Sequence, residues 1–224
     1  MPGHALHLAI ASDFLSALPA VKAERWRQDP NTVRALYQGA LAPDMGYFLG
    51  GDRLITDLSH YVEPTKLARS LVDLASTQEE QAFAWGWVTH VIADTEVHKP
   101  INRASGEILN GSASDPATWT DSPSTHIRVE RGLDAVWLAR NEGFADIRMD
   151  LEIAEPGVAL MKRAFLRLYE VELDEGSLRR SLGRLSRVQR VLFPLARAEG
   201  GCWQGFRARP AKCCGVRSSH RSGG

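Results

Sequence analysis

Three side chains able to bind a metal recur at intervals of four in His90-Val91-Ile92-Ala93-Asp94-Thr95-Glu96-Val97-His98. A helix turns ~100° per residue, so each four-residue step drifts only ~40° and the three would share a shallow stripe on one helix face. A second pair, His126 and Glu130, has the same spacing. Two such helices face to face would gather imidazole and carboxylate in one place, as a multinuclear metal site requires. Nitrogen and oxygen donors of this kind suit zinc. A carboxylate can bridge two zinc ions, and such pairs stabilise the attacking and leaving oxygens in phosphoester hydrolysis. Six of the seven histidines lie in the first 126 residues, together with these carboxylates.

Helices must position these groups. Apolar residues Leu6, Ile10, Phe14, Leu15 and Leu18 have helical spacing that stops at Pro19. Asn31 is a candidate cap for a helix running to Ala42, and residues 46–57 read as a loop. Pro64 opens a helix with Leu67, Leu71 and Leu74. Ser76 or Thr77 caps the next, which carries Glu79 and Glu80 in its acidic first turn and is expected to stop near Pro100. Residues 103–125 are rich in Ser, Asp, Pro, Gly and Thr and predict a long loop. A helix from Ser124 or Thr125 to Arg140 follows, then an amphipathic stretch from Val158 to Val171 and a basic helix from about Ser177 to Phe193. No strand-like alternation appears, so the expected fold is all-α, one multi-helix domain over residues 1–200. Residues 201–224 form a basic tail expected to be disordered.

Composition limits the partners. Of the 224 residues, 44% are hydrophobic and 24% charged, as in globular proteins, and the formal net charge is zero. No global field favours a stable nucleic acid complex. No stretch approaches the ~20 apolar residues of a membrane span, and the first residues do not read as a signal peptide, so a cytoplasmic location is expected. Cys202, Cys213 and Cys214 lie close together near the end and lack zinc-ribbon spacing.

The order of His7, Ala42-Pro43-Asp44, His60, the stretch Gly86 to Pro100, and His126-x-x-x-Glu130 resembles the zinc-dependent phospholipase C family. These are all-α enzymes with up to three zinc ions, and the resemblance covers roughly residues 1–140. It implies a first zinc on Asp44, His60, His90 and Asp94, and a second on His98, His126 and Glu130. His7 and Asp94 would hold a third, with Asp94 as the bridge. It also makes Asp44 the general base, and the substrate a small-molecule or phospholipid phosphoester, with possible peripheral membrane contact. Secreted members complete the third site with an N-terminal tryptophan. This sequence has none there, and His4 or a terminal amine is the alternative. The related helical single-strand nucleases and nucleotidases, or a domain keeping one structural zinc, are the other functions consistent with these residues.

Around the ligands, Asp134 lies one turn beyond Glu130, where it would either accept a hydrogen bond from a ligand histidine or form a solvent-facing salt bridge. Trp85, Trp87 and Trp137 are candidates for a substrate cleft or for the core. Arg179, Arg180, Arg184, Arg187 and Arg190 form a basic helix face, either solvated or phosphate-binding.

Overall fold

The computed structural model describes residues 3–47, 50–141, 155–181 and 183–184. Every regular element among them is helical: α1 (His4–Ala17), α2 (Ala20–Arg27), α3 (Pro30–Leu41), α4 (Arg53–Tyr61), α5 (Pro64–Leu74), α6 (Gln78–Asn110), α7 (Pro123–Arg140) and α8 (Glu155–Tyr169). A 3-10 turn, Ala42–Tyr47, joins α3 towards α4. None of these helices is long and apolar enough to cross a membrane. The cysteines, Arg187, Arg190 and the basic tail lie outside the described residues.

Local chemistry sets most helix starts. Asp29 accepts from the Asn31 amide and Pro30 occupies the first turn, so Asp29 rather than Asn31 caps α3. Asp52 caps α4 by accepting from Leu54, and Ser122 caps α7. Thr77 and Glu80 form a reciprocal capping box at the head of α6. Glu80 also receives the Arg163 guanidinium at 2.7 Å, which ties α8 to this end of α6. The expected loop over residues 46–57 gives way to α4 from Arg53 onward, because Ile55, Thr56 and Ser59 find a buried face.

The central contact is α3 against α6. Gly39 and Gly86 let the two backbones touch. A Cβ on Gly39 would meet the Phe83 carbonyl at 2.0 Å, and one on Gly86 would meet the Leu36 carbonyl at 2.0 Å. Leu36, Leu41, Phe83 and Trp87 fill the core there, and Phe165 of α8 joins them. This contact also orients the site, since the Ala40 carbonyl faces His90 Nδ1 at 2.9 Å. Gly39→Ala is expected to cost about 2–4 kcal/mol by overpacking and to weaken metal retention through His90. Thermal melts of the two proteins, with zinc content measured alongside, check it.

The largest departure from expectation is the length of α6. It runs past Pro100 to Asn110 and ends at Gly111, whose φ of 72° is left-handed. Proline removes one backbone bond, but tertiary packing beyond it holds the helix. Ile101, Ser105 and Gly106 are buried. Gly106 lets residue 115 approach so closely that a Cβ would meet its carbonyl at 2.1 Å. The Ala117 amide donates to the Asn102 carbonyl at 3.0 Å. The expected loop over residues 103–125 therefore shrinks to residues 111–122, folded back along the end of α6.

Candidate metal centre

Four helices and the 3-10 turn deliver the candidate ligands to one place. The first turns of α1 carry His4 and His7, the 3-10 turn carries Asp44, and α4 carries His60. The middle of α6 contributes His90, Asp94 and His98, and α7 contributes His126 and Glu130.

Around Asp44, His60 Nε2 lies 3.2 Å from Oδ1 and His90 Nε2 3.9 Å from the same oxygen. Asp94 Oδ2 is 3.4 Å from both imidazoles. On the other side, Asp94 Oδ1 faces His7 Nε2 at 3.3 Å and His98 Nε2 at 3.8 Å. His7 stacks on His90 with ring centroids 4.1 Å apart. Farther along, Glu130 Oε1 lies 2.9 Å from His126 Nε2 and 3.3 Å from His98 Nε2. Three donor groups thus form: His7, Asp44 and His90; His60, His90 and Asp94; His98, His126 and Glu130.

Backbone contacts fix how the imidazoles present themselves. His60 Nδ1 lies 2.8 Å from the Thr56 carbonyl, and His90 Nδ1 meets the Ala40 carbonyl. Donation to these carbonyls leaves each Nε2 with its lone pair turned inward. The two Nε2 atoms then face each other at 3.2 Å. Two nitrogen lone pairs at that distance need a cation between them, either the proton His60 holds in the metal-free protein or a metal ion. Asp44 makes the same demand, for it is fully buried and neither oxygen receives a hydrogen bond of acceptable geometry. A buried carboxylate without partners is costly unless a positive charge meets it. The donors are imidazole nitrogen and carboxylate oxygen, so the set fits zinc.

The electrostatics agree. Burial alone would raise the carboxyl pKa of Asp44 and Asp94, but the imidazoles, His90 first, outweigh it and hold both well below the usual carboxylate range. Glu130 is likewise lowered by His126 and His98 against its burial. Burial disfavours charge on His60, yet the neighbouring carboxylates, Asp44 at 3.2 Å and then Asp94, push it up to about 9. His98 is raised by Glu130 and Asp94 against its own desolvation.

Asp134 is buried rather than solvent-facing, and its carboxylate accepts from the Ala5 and Leu6 amides at 3.1 and 3.2 Å. It therefore caps the first turn of α1 from α7. Its burial raises its pKa to about 7 despite those bonds.

The centre lies in the wall of an open cavity of about 800 Å³, also lined by Tyr47, Arg53, Tyr61 and Trp119. Trp119 sets its ring edge-on to His126, with centroids 5.8 Å apart. Sequence reasoning missed this residue because it sits in the stretch taken as loop, although an aromatic in a polar loop near a ligand helix was the available signal. Trp87 is buried in the core against Phe83 and Phe165, and Trp85 stacks on Phe14. On the basic face, Arg179 pairs with Glu155 and Glu175, and Arg180 with Asp174, so acidic neighbours partly neutralise the described part of it.

The profile of the family described as zinc dependent phospholipase C matches residues 6–177. The chain belongs to the zinc-dependent phospholipase C family. That span takes in every candidate ligand from His7 to Glu130, the cavity and α8. No curated protein and no solved structure matches the chain.

Proposed function

We propose that the chain is a zinc-dependent phosphoesterase that hydrolyses a phosphodiester or phosphomonoester, with a phospholipase C-like substrate. The observation that carries this is three neighbouring N/O donor groups at an open cavity, with Asp94 facing an imidazole of each. Asp44, His60, His90 and Asp94 would hold one ion; His98, His126 and Glu130 a second; His7 and Asp94 take part in a third. When bound, such ions supply an activated water at neutral pH and neutralise charge on phosphate oxygens.

The chain's own residues do the rest. The Thr56 and Ala40 carbonyls keep His60 and His90 aimed inward. Asp94 holds negative charge where its two oxygens face different imidazoles. Asp44 would serve as a ligand, with Oδ1 beside His60 and Oδ2 beside His4, and the general-base role implied by the family falls on it as well. Trp119, Tyr47 and Tyr61 bound the space a substrate enters, and Arg53 brings its guanidinium over the Tyr47 ring at 4.9 Å from the centroid.

These rings also favour a second reading. An aromatic face such as that of Trp119 stacks a nucleobase, as a single-strand nuclease or nucleotidase requires. The zinc-loaded protein, assayed on short-chain phosphatidylcholine, a chromogenic phosphate ester and single-stranded DNA, separates the two. Turnover of the lipid and the ester, abolished by a chelator and restored by zinc, is expected. Turnover of the DNA alone would replace the first reading with the second, and turnover of none would reject both.

A further inference from the structure

His4 stands among the ligands, although the three donor groups do not include it. It is 3% exposed, and its Nε2 lies 3.5 Å from Asp44 Oδ2. That oxygen receives no hydrogen bond of acceptable geometry, so proximity to His4 does not satisfy it. A tetrahedral zinc with bonds of ~2.1 Å spaces its ligand atoms by roughly 3.4 Å. The His4–Asp44 separation is close to that edge length. So is the 3.3 Å between His7 Nε2 and Asp94 Oδ1.

Both histidines leave α1 from one face, three residues apart, in the turn held by Asp134. Gly3 makes room for that clamp, since a Cβ there would sit 2.7 Å from Asp134 Oδ1. The turn that carries His4 is thus held by α7 independently of any ion.

We infer that His4 is a metal ligand: with His7, Asp94 and Asp44 Oδ2 it completes the third metal position from side chains alone. The inference rests on the zinc reading above. It makes Asp44 a second bridge, through Oδ1 toward His60 and His90 and through Oδ2 toward His4. It also removes any need for a terminal amine, so residues added ahead of Met1 leave the position intact.

The test is zinc per chain, by elemental analysis of the gel-filtered full-length protein, for the parent, His4→Ala, His4→Asp and a form extended at its N-terminus. The expected result is loss of one ion in His4→Ala, retention in His4→Asp, whose carboxylate still ligates, and retention in the extended form. Cobalt substitution gives a second readout, with one component of the visible spectrum missing in His4→Ala. An unchanged ion count in His4→Ala would overturn the inference and reduce His4 to a neighbour of Asp44. Loss of an ion on N-terminal extension would overturn it as well. If His4→Ala does not fold, His4→Phe decides: a folded chain with its full zinc count overturns the inference. A parent protein that takes up no zinc defeats the zinc reading itself, an outcome distinct from failure at His4 alone.

Discussion

Asp94→Asn is expected to lower hydrolysis roughly a thousandfold and to remove more than one zinc per chain. The carboxylate of Asp94 faces four of the imidazoles, His7, His60, His90 and His98. Oδ2 lies 3.4 Å from His60 and His90, and Oδ1 faces His7 and His98. Asparagine keeps the shape but discards the charge and one of the two acceptor oxygens, so no side of the centre stays intact. The fold should survive, because Asp94 is not part of the apolar core. Circular dichroism should be unchanged while zinc content drops. A variant with its full zinc complement would show that Asp94 is not a bridge.

Stripping the metal is expected to lower the melting temperature by about 8–16 °C, and by more at pH 9 than at pH 6. A ligand present at about a thousand times its dissociation constant stabilises by ~4 kcal/mol, and each kcal/mol moves a domain of this size by ~2–4 °C. The pH trend follows from His60. Its folded pKa of about 9 exceeds the ordinary 6.5. Its contribution is therefore complete below pH 6.5 and lost as pH rises through 9, on the order of 3 kcal/mol. Asp134 acts in the same direction at lower pH. Raised from 3.8 to about 7, it binds more protons folded than unfolded, so stability falls between about pH 4 and 7. Asp44, Asp94 and Glu130 are lowered; their contribution is present at neutral pH and fades in acid. The metal-free protein should thus be most stable in mild acid and weaken toward pH 9. Zinc displaces the His60 proton, so the gap between zinc-loaded and stripped protein should widen with pH. Melts from pH 5 to 9 check this, and a gap that narrows toward pH 9 would contradict it.

Much of this arrangement is legible in the chain because helices translate spacing into direction. A four-residue interval in α6 turns His90, Asp94 and His98 toward one cavity, and the same interval in α7 places Glu130 beside His126. The all-α fold followed from apolar periodicity and caps such as Thr77 with Glu80. Other features depend on contacts between distant segments, which no local pattern encodes. Pro100 reads as a stop, yet Ile101, Ser105 and Gly106 bury themselves and carry α6 onward. Trp119 reaches the cavity only because its loop folds back on that extension. Asp134 has the right spacing for a partner of a ligand histidine, but α1 brings it two backbone amides instead. His4 reads as one alternative to an N-terminal tryptophan; in the fold it meets Asp44, while His7 meets Asp94.

The central claim is that several zinc ions share Asp94 at one cavity. The measurement that bears on it most directly is an anomalous-difference map of crystals of the zinc-loaded protein, collected on either side of the zinc edge. Three peaks are expected, one beside His60 and His90, one beside His98, His126 and Glu130, and one beside His4 and His7, with Asp94 next to more than one. A single peak with four protein ligands, or no peak among these residues, would contradict it.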